Sequence, residues 1–390
     1  MRVFILPYTF RTFFSYHKRA SGIDQGTLCQ VRALQDAGHD VRLYTAFTDL
    51  HNHMNGIDYY KETIPEGMDV KDYEKSKRGV IAKELIKSIR EFKPDVILSN
   101  YLFNDHPYSR LMGLGIPVIF SSMTNPGFWS DLASVDLMHD FCTQGHTFIN
   151  CSDYHKMRTD KFYGRWPEAN VSADDILFCA YSERETVQPS DGVVRHCSAA
   201  NTEKSTFYIH DVFDDTEVYT EVYTAFNYLN NNSKNGKYIQ KNMDRFENRP
   251  DRTTRTNVDH GEMVQEIGKS ACTFVGIAPY DTFTITSLES LSRGVPVLVK
   301  NYKGLHPAKE MLPEAMKKYV HIFENKADLL AKTKEWANLS LDTRQSIADA
   351  CYEATSKEAY TARLERICEG AIIKFKNNSN NGLHLDQFMI

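Results

Sequence analysis

Short apolar runs of strand length, each followed by an amphipathic stretch of helical period, recur along this chain. That alternation constrains the fold more than any other feature. Val3–Pro7 leads through a long polar loop into a helical pattern from about Gln25 to Asp36, and a Gly-His break then gives way to Val41–Ala46. KPDVILSN (93–100), IPVIFSS (116–122) and HTFINCS (146–152) each read as a buried strand entered from a loop. A helix over Ile81–Phe92 carries Leu85 and Ile89 at i, i+4. Strands of this length alternating with helices predict a parallel sheet covered on both faces. The pattern restarts near residue 175 with Asp175–Tyr181, Gly192–Cys197, ACTFVGIA (271–278) and VPVLV (295–299), and is helical from Lys326 to about Phe375. We therefore expect an α/β chain of two doubly wound domains facing a central cleft. The first spans 1–174 and the second 175–354, with a helix near 355–375 packing back on the first. Ligands of such sheets bind at the carboxyl ends of the strands, so the cleft is the expected site.

Composition narrows the function classes. At 390 residues and 42% hydrophobic, the chain is long enough for two packed domains. Lys+Arg 46 against Asp+Glu 51 gives a formal charge of −5, which announces no nucleic-acid partner but leaves room for a local basic patch. No apolar run is long enough to span a membrane, and MRVFILPYTFRTFF lacks a signal-peptide layout. Eight cysteines are scattered with no CxxC pair and no zinc spacing, so reduced core thiols in a cytoplasmic protein are expected.

The stretch DTFTITSLESLSRGVPVLV (281–299) admits two readings. Its threonines alternate as in an exposed strand, with Asp281 and Glu289 as surface acids. Alternatively it follows the strand ACTFVGIA, so Pro279–Asp281 lies at a carboxyl strand end, and a helix starting within Phe283–Thr286 and stopping at Gly294 turns its free N–H groups and positive dipole end to a ligand.

Asp281–Val297 resembles the E-x-F-G-hydrophobic-x-x-x-E signature, ending in Gly-x-Pro-Val, of the retaining GT-B-fold nucleotide-sugar glycosyltransferases. Asp281 stands for the family's first Glu and Thr284 for its Gly. The similarity extends to SGIDQGTLCQVRALQDAGHDVRLYTA (21–46), like the family's glycine loop, helix and Gly-His-x-Val strand, and to the final helices. It implies two Rossmann-like domains and a nucleotide sugar, UDP-linked by preference, bound to the second without a metal cofactor. It also implies roles. Asp281 would hold hydroxyls of the transferred sugar, and Glu289 those of the ribose. Phe283, Thr284, Thr282 and Gly22 would offer backbone to the donor. Arg195 and Lys204 in VVRHCSAANTEKSTF (193–207) match the family's phosphate-binding Arg and Lys, although the loop between them is long. The family's sugar-proximal His has no counterpart in IPVIFSSMTNPGFWS; His106 on the neighbouring strand end is the candidate substitute.

For the acceptor, the amino-terminal layout is similar to that of bacteriophage enzymes that glycosylate hydroxymethylcytosine in DNA. FRTFFSYHKR (10–19) offers Arg11, Lys18 and Arg19 among aromatics. Residues 229–256 hold seven Lys/Arg, Lys237 and Arg245 among them, against three acids. These are the candidate phosphate contacts to double-stranded DNA, whose target base would have to leave the stack. The plain alternative is a pair of solvated loops. Competing expectations are a bacterial glycan or lipid-linked acceptor, a sugar-nucleotide epimerase, and a non-catalytic binding protein on the same fold. A monomer or weak dimer is expected, in the cytoplasm of a bacterial host if the chain is phage-encoded.

Overall fold

The computed structural model describes residues 1–6, 22–44, 58–60, 83, 85–100, 107–123, 135–197, 204–224, 234–256, 258–276, 281, 283–300 and 307–380. They form two compact units, Met1–Ala180 together with the chain from Glu358 onward, and Tyr181–Lys357.

The first unit is built on seven parallel strands: β1 (Arg2–Leu6), β2 (Asp40–Tyr44), β3 (Asp58–Tyr60), β4 (Val96–Ser99), β5 (Val118–Ser121), β6 (Thr147–Asn150) and β7 (Asp175–Ile176). Their order is β3-β2-β1-β4-β5-β6-β7. All four residues of each of β4, β5 and β6 are buried, as sheets covered on both faces require, which is why these strands read as unbroken apolar runs. The covering helices are α1 (Gly22–Asp36), α2 (85–92), α3 (Val135–Thr143) and α4 (Asp153–Tyr163). Leu85, Ile89 and Phe92 on one stripe of α2 are fully or almost fully buried, and Phe148 of β6 stacks on Phe120 of β5 with centroids 5.4 Å apart.

Asp175–Ile176 belongs to this sheet and does not open the second domain as its sequence suggests. The Leu177 amide donates to Asn150, the Lys374 ammonium reaches Asp174 at 2.8 Å, and the Arg363 guanidinium reaches Asp175 at 2.7 Å. Both cations lie on the last helix, so the segment is fixed to the first unit from two sides.

The second unit repeats the plan with β8 (Val194–Cys197), β9 (Thr220–Thr224), β10 (Arg252–Thr256), β11 (Cys272–Val275), β12 (Val297–Lys300) and β13 (Val320–Phe323). All are parallel, in the order β10-β9-β8-β11-β12-β13. Helices α5 (Tyr208–Val212), α6 (Lys234–Phe246), α7 (His260–Lys269), α8 (Ile285–Leu291), α9 (Pro307–Glu310), α10 (Glu314–Lys317), α11 (Lys326–Ala337) and α12 (Leu341–Thr355) connect them, and α13 (Lys357–Asn380) returns to the first unit.

Within the polar segment 229–256, the described residues 234–256 form an amphipathic helix followed by an edge strand, not a solvated loop. Ile239 and Phe246 of α6 are buried, and β10 joins the sheet by one side only. Its basic excess is largely compensated by its neighbours. Arg245 pairs with Asp211 at 2.5 Å, Arg249 with Asp214 at 2.5 Å, Arg252 with Asp251 at 2.9 Å, and Arg255 with Glu262 at 3.3 Å. Lys237 is exposed on α6.

All eight cysteines are free thiols and six are buried, so they act as core side chains. Among the described residues no helix is long and apolar enough to cross a membrane.

Three buried histidines make the stability of this fold depend on pH on the acid side. Burial pushes His146 down to about 4, His196 to about 4 and His210 to about 3. The unfolded chain takes up protons near the ordinary histidine value of about 6.5. The stability linked to these groups is therefore present above about pH 6.5 and lost as the pH falls through their folded values. Urea unfolding should give a clearly lower midpoint at pH 5 than at pH 7, with substitution of His210 flattening the dependence.

Candidate functional site

The strand order of the second unit reverses between β8 and β11, and the carboxyl ends of these two strands mark its switch point. Gly276 stands one residue beyond β11. A Cβ there would lie 2.7 Å from the carbonyl carbon of Lys204 and collide with its oxygen, so the chain after β8 crosses the end of β11 in direct backbone contact. Only glycine leaves room for that approach. Lys204 is thereby set beside Asp281, its ammonium 3.2 Å from the carboxylate, with both side chains partly open to solvent.

Helix α8 begins where the second reading of 281–299 places it. Thr284 is its N-cap: the hydroxyl accepts from the Ser287 amide at 3.3 Å and lies 2.7 Å from the Ser287 hydroxyl. Thr286 donates its hydroxyl to the carbonyl of Cys197, the last residue of β8, at 3.2 Å. Of the threonines that alternate like a strand, Thr284 is thus a cap and Thr286 a tether, and the tether fixes the helix start over the end of β8. Phe283 is buried at 9% exposure. The helix ends at Leu291, and the turn that follows it closes at Gly294, whose φ of 73° lies in the left-handed region and whose missing Cβ makes room for the backbone of Arg344.

Glu289, one turn into α8, is held by His260, the first residue of α7, with Nε2 2.7 Å from Oε1. Asp259 caps α7 by accepting from the Gly261 amide at 2.9 Å, and so orients His260 towards α8. Burial works against protonation of His260, but the hydrogen bond and charge of Glu289 outweigh it and the pKa ends above its ordinary value. The stability of this pair is complete below about pH 6.5 and is lost as the pH rises through the raised folded value. In Glu289→Gln the imidazole should titrate at lower pH than in the parent, which an NMR titration of the ring protons reads directly.

Arg195 does not join Lys204 and Asp281. It is buried at 3% exposure, with Nη2 2.6 Å from Asp191, Nε 2.8 Å from Glu221 and Nη2 3.4 Å from Glu266, and it also donates to the Ser270 hydroxyl at 3.3 Å. Asp191 precedes β8 and Ser270 precedes β11, so the guanidinium is drawn to the amino ends of the strands, away from the switch point. Three carboxylates already saturate it. Arg195→Met should cost about 3 kcal/mol in urea unfolding, because three acids lose their shared cation.

Of the other expected residues, Gly22 is the first residue of α1, and Lys237 and Arg245 lie on α6. Thr282, Arg11, Lys18, Arg19 and His106 lie outside the described residues. Among the described residues no group of three or more His, Cys, Asp or Glu side chains is placed to hold a metal ion. Gly276, His260 and Thr286 are the local residues that sequence reasoning did not single out. An Asp followed by His-Gly at an amphipathic helix start was the available signal for His260; the contact at Gly276 is tertiary and left none.

No protein-family model matches the chain, and no curated protein matches it in sequence. In three dimensions it is similar to a sucrose-phosphate synthase from Thermosynechococcus elongatus, with a TM-score of 0.68 and 12% identity over 94% of this chain and 97% of that one. It is likewise similar to an alpha-glucosyltransferase in complex with UDP, with a TM-score of 0.61 and 12% identity over 95% and 100%. The Anabaena protein HepE in complex with UDP-glucose gives 0.63 and 11% identity over 94% and 98%. The fold is the two-domain GT-B architecture.

Proposed function

We propose that this chain is a retaining glycosyltransferase that moves a sugar from a nucleoside diphosphate, UDP by preference, to an acceptor hydroxyl. The observation that carries this reading is the Lys204–Asp281 pair at the switch point of the second sheet, beside the backbone contact at Gly276. A cation and an acceptor carboxylate at 3.2 Å suit the diphosphate and the sugar hydroxyls of one donor. Structural neighbours held with UDP and UDP-glucose support the same donor class.

In this scheme Glu289 accepts hydrogen bonds from the ribose while His260 fixes the carboxylate from the other side. Asp281 accepts from hydroxyls of the transferred sugar. The bond from the anomeric carbon to the diphosphate oxygen breaks, and the acceptor oxygen bonds to the same face of that carbon. The acceptor proton passes to the departing phosphate. Lys204 stabilises the charge that develops there, so electrostatics carries most of the catalysis and neither acid is a general base. Arg195 has no part in it.

The first unit is proposed to receive the acceptor, and the favoured acceptor is 5-hydroxymethylcytosine in phage DNA, on the amino-terminal likeness and the exposed Lys237. The pairing of Arg245, Arg249, Arg252 and Arg255 with carboxylates favours the second reading, a glycan or lipid-linked acceptor. Labelled UDP-sugars should be incubated with hydroxymethylated duplex DNA at low salt, with the product anomer read by NMR. Transfer with retained configuration is the expected result. Donor hydrolysis without transfer to DNA would move the acceptor to the glycan class, and no donor turnover at all would leave a binding protein.

A further inference from the structure

We propose that Lys300 is a second cation for the donor diphosphate, acting beside Lys204 at the same carboxyl edge. The inference rests on the glycosyltransferase reading above and names a residue that reading does not use.

Register places it there. Val275 of β11 pairs with Val299 of β12, so the next residues along these parallel strands are Gly276 and Lys300, about 4.8 Å apart. Gly276 is the residue whose missing Cβ lets in the Lys204 backbone. Lys204, Gly276 and Lys300 therefore stand side by side along the end of the sheet. The Lys300 ammonium lies 4.1 Å from the centroid of the Tyr208 ring, and Tyr208 opens α5 four residues after Lys204. That ring is itself fixed, stacked on Phe323 at 6.2 Å and 11° and tilted against Phe274 at 5.8 Å. The result is a rigid aromatic shelf that holds a half-buried ammonium at the strand end.

Charge balance shows why a second cation matters here. Lys204 is paired with Asp281, and the two together are neutral. Arg195 is saturated by Asp191, Glu221 and Glu266. A nucleoside diphosphate brings several negative charges to this edge, and one neutralised lysine is a poor counter-ion for them. Lys300 meets an aromatic face, which orients an ammonium without cancelling its charge. Its flexible stem can turn the head from the ring to a phosphate oxygen as the ligand arrives.

The test is calorimetric binding of UDP, ADP, GDP and uridine to the full chain, comparing the parent with Lys300→Met, Lys300→Gln and Lys300→Arg. Thermal unfolding checks that each variant is folded. For the best nucleoside diphosphate, Lys300→Met and Lys300→Gln should bind about tenfold more weakly, with a shallower dependence of affinity on salt. Uridine binding should stay at the parent value, and Lys300→Arg should recover most of the loss. Parent-like diphosphate affinity in the Met and Gln variants would overturn the inference alone, as would an equal loss for uridine. Failure of the parent to bind any of the three diphosphates would overturn the glycosyltransferase reading and this inference with it.

Discussion

Lys204→Ala is expected to slow sugar transfer by roughly a hundred- to a thousandfold, the range found when one preorganised charge is removed from a transition state. The reason is local. The Lys204 ammonium lies 3.2 Å from Asp281, and without that positive charge the carboxylate repels an incoming diphosphate more strongly. The single substitution should therefore weaken UDP binding as well as turnover. Combining it with Asp281→Asn removes the repulsion and should restore part of the UDP affinity without restoring the rate. The two losses will not add, as expected of groups in direct contact. Initial rates with labelled donor, together with UDP binding on the single and double variants, check this. Parent-like turnover in Lys204→Ala would overturn the site.

A methyl group at Gly276 should have a comparably large effect by a different route. It collides with backbone, which cannot swing aside as a flexible side chain can. The crossing chain must move, carrying Lys204 away from Asp281. Overpacking of this kind costs about 1–3 kcal/mol, and a backbone obstacle argues for the upper end. Gly276→Ala should thus lower the thermal midpoint and abolish most of the transfer, while Gly113→Ala, where an added Cβ meets nothing within 4 Å, should leave both unchanged. Parent-like activity of the Gly276 variant would show that the contact does not position Lys204.

What could be read from the sequence followed the physics of burial. Strands such as VILS and VIFS lie under helices on both sides, so their apolar runs are continuous and unmistakable. TEVYT and RTTRT carry the second sheet to its edge, where polar side chains are tolerated, and neither stood out. Helix α6 was hidden because its buried Ile239 and Phe246 are embedded among Asn and Lys. At the candidate site, Asp281, Phe283 and Glu289 can be picked out together from the sequence because all three lie on one short stretch leading into and along α8. The surroundings of Arg195 are only partly legible: Asp191 lies four residues before it, but Glu221 and Glu266 come from elements far along the chain. Spacing near the arginine cannot report acids delivered by folding. Thr284 and Thr286 read as strand residues for a related reason: β-propensity describes a pleated surface, and their hydroxyls serve instead as a cap and a tether.

The last helix has a consequence for how the protein is made. Glu365 holds His39 at 2.8 Å, and Lys374 holds Asp174. These contacts bind the first unit to residues translated after the whole of the second. At 5–20 residues per second, the ribosome needs about 10–40 s to travel from the end of β7 to Lys374. During that interval the nascent first unit lacks its closing helix, with the seats of Phe375 and Ala371 open, whereas the second unit is continuous and can fold as soon as it emerges. Synthesis thus favours an order in which the second unit is complete first, and the unit translated earliest is the last to close.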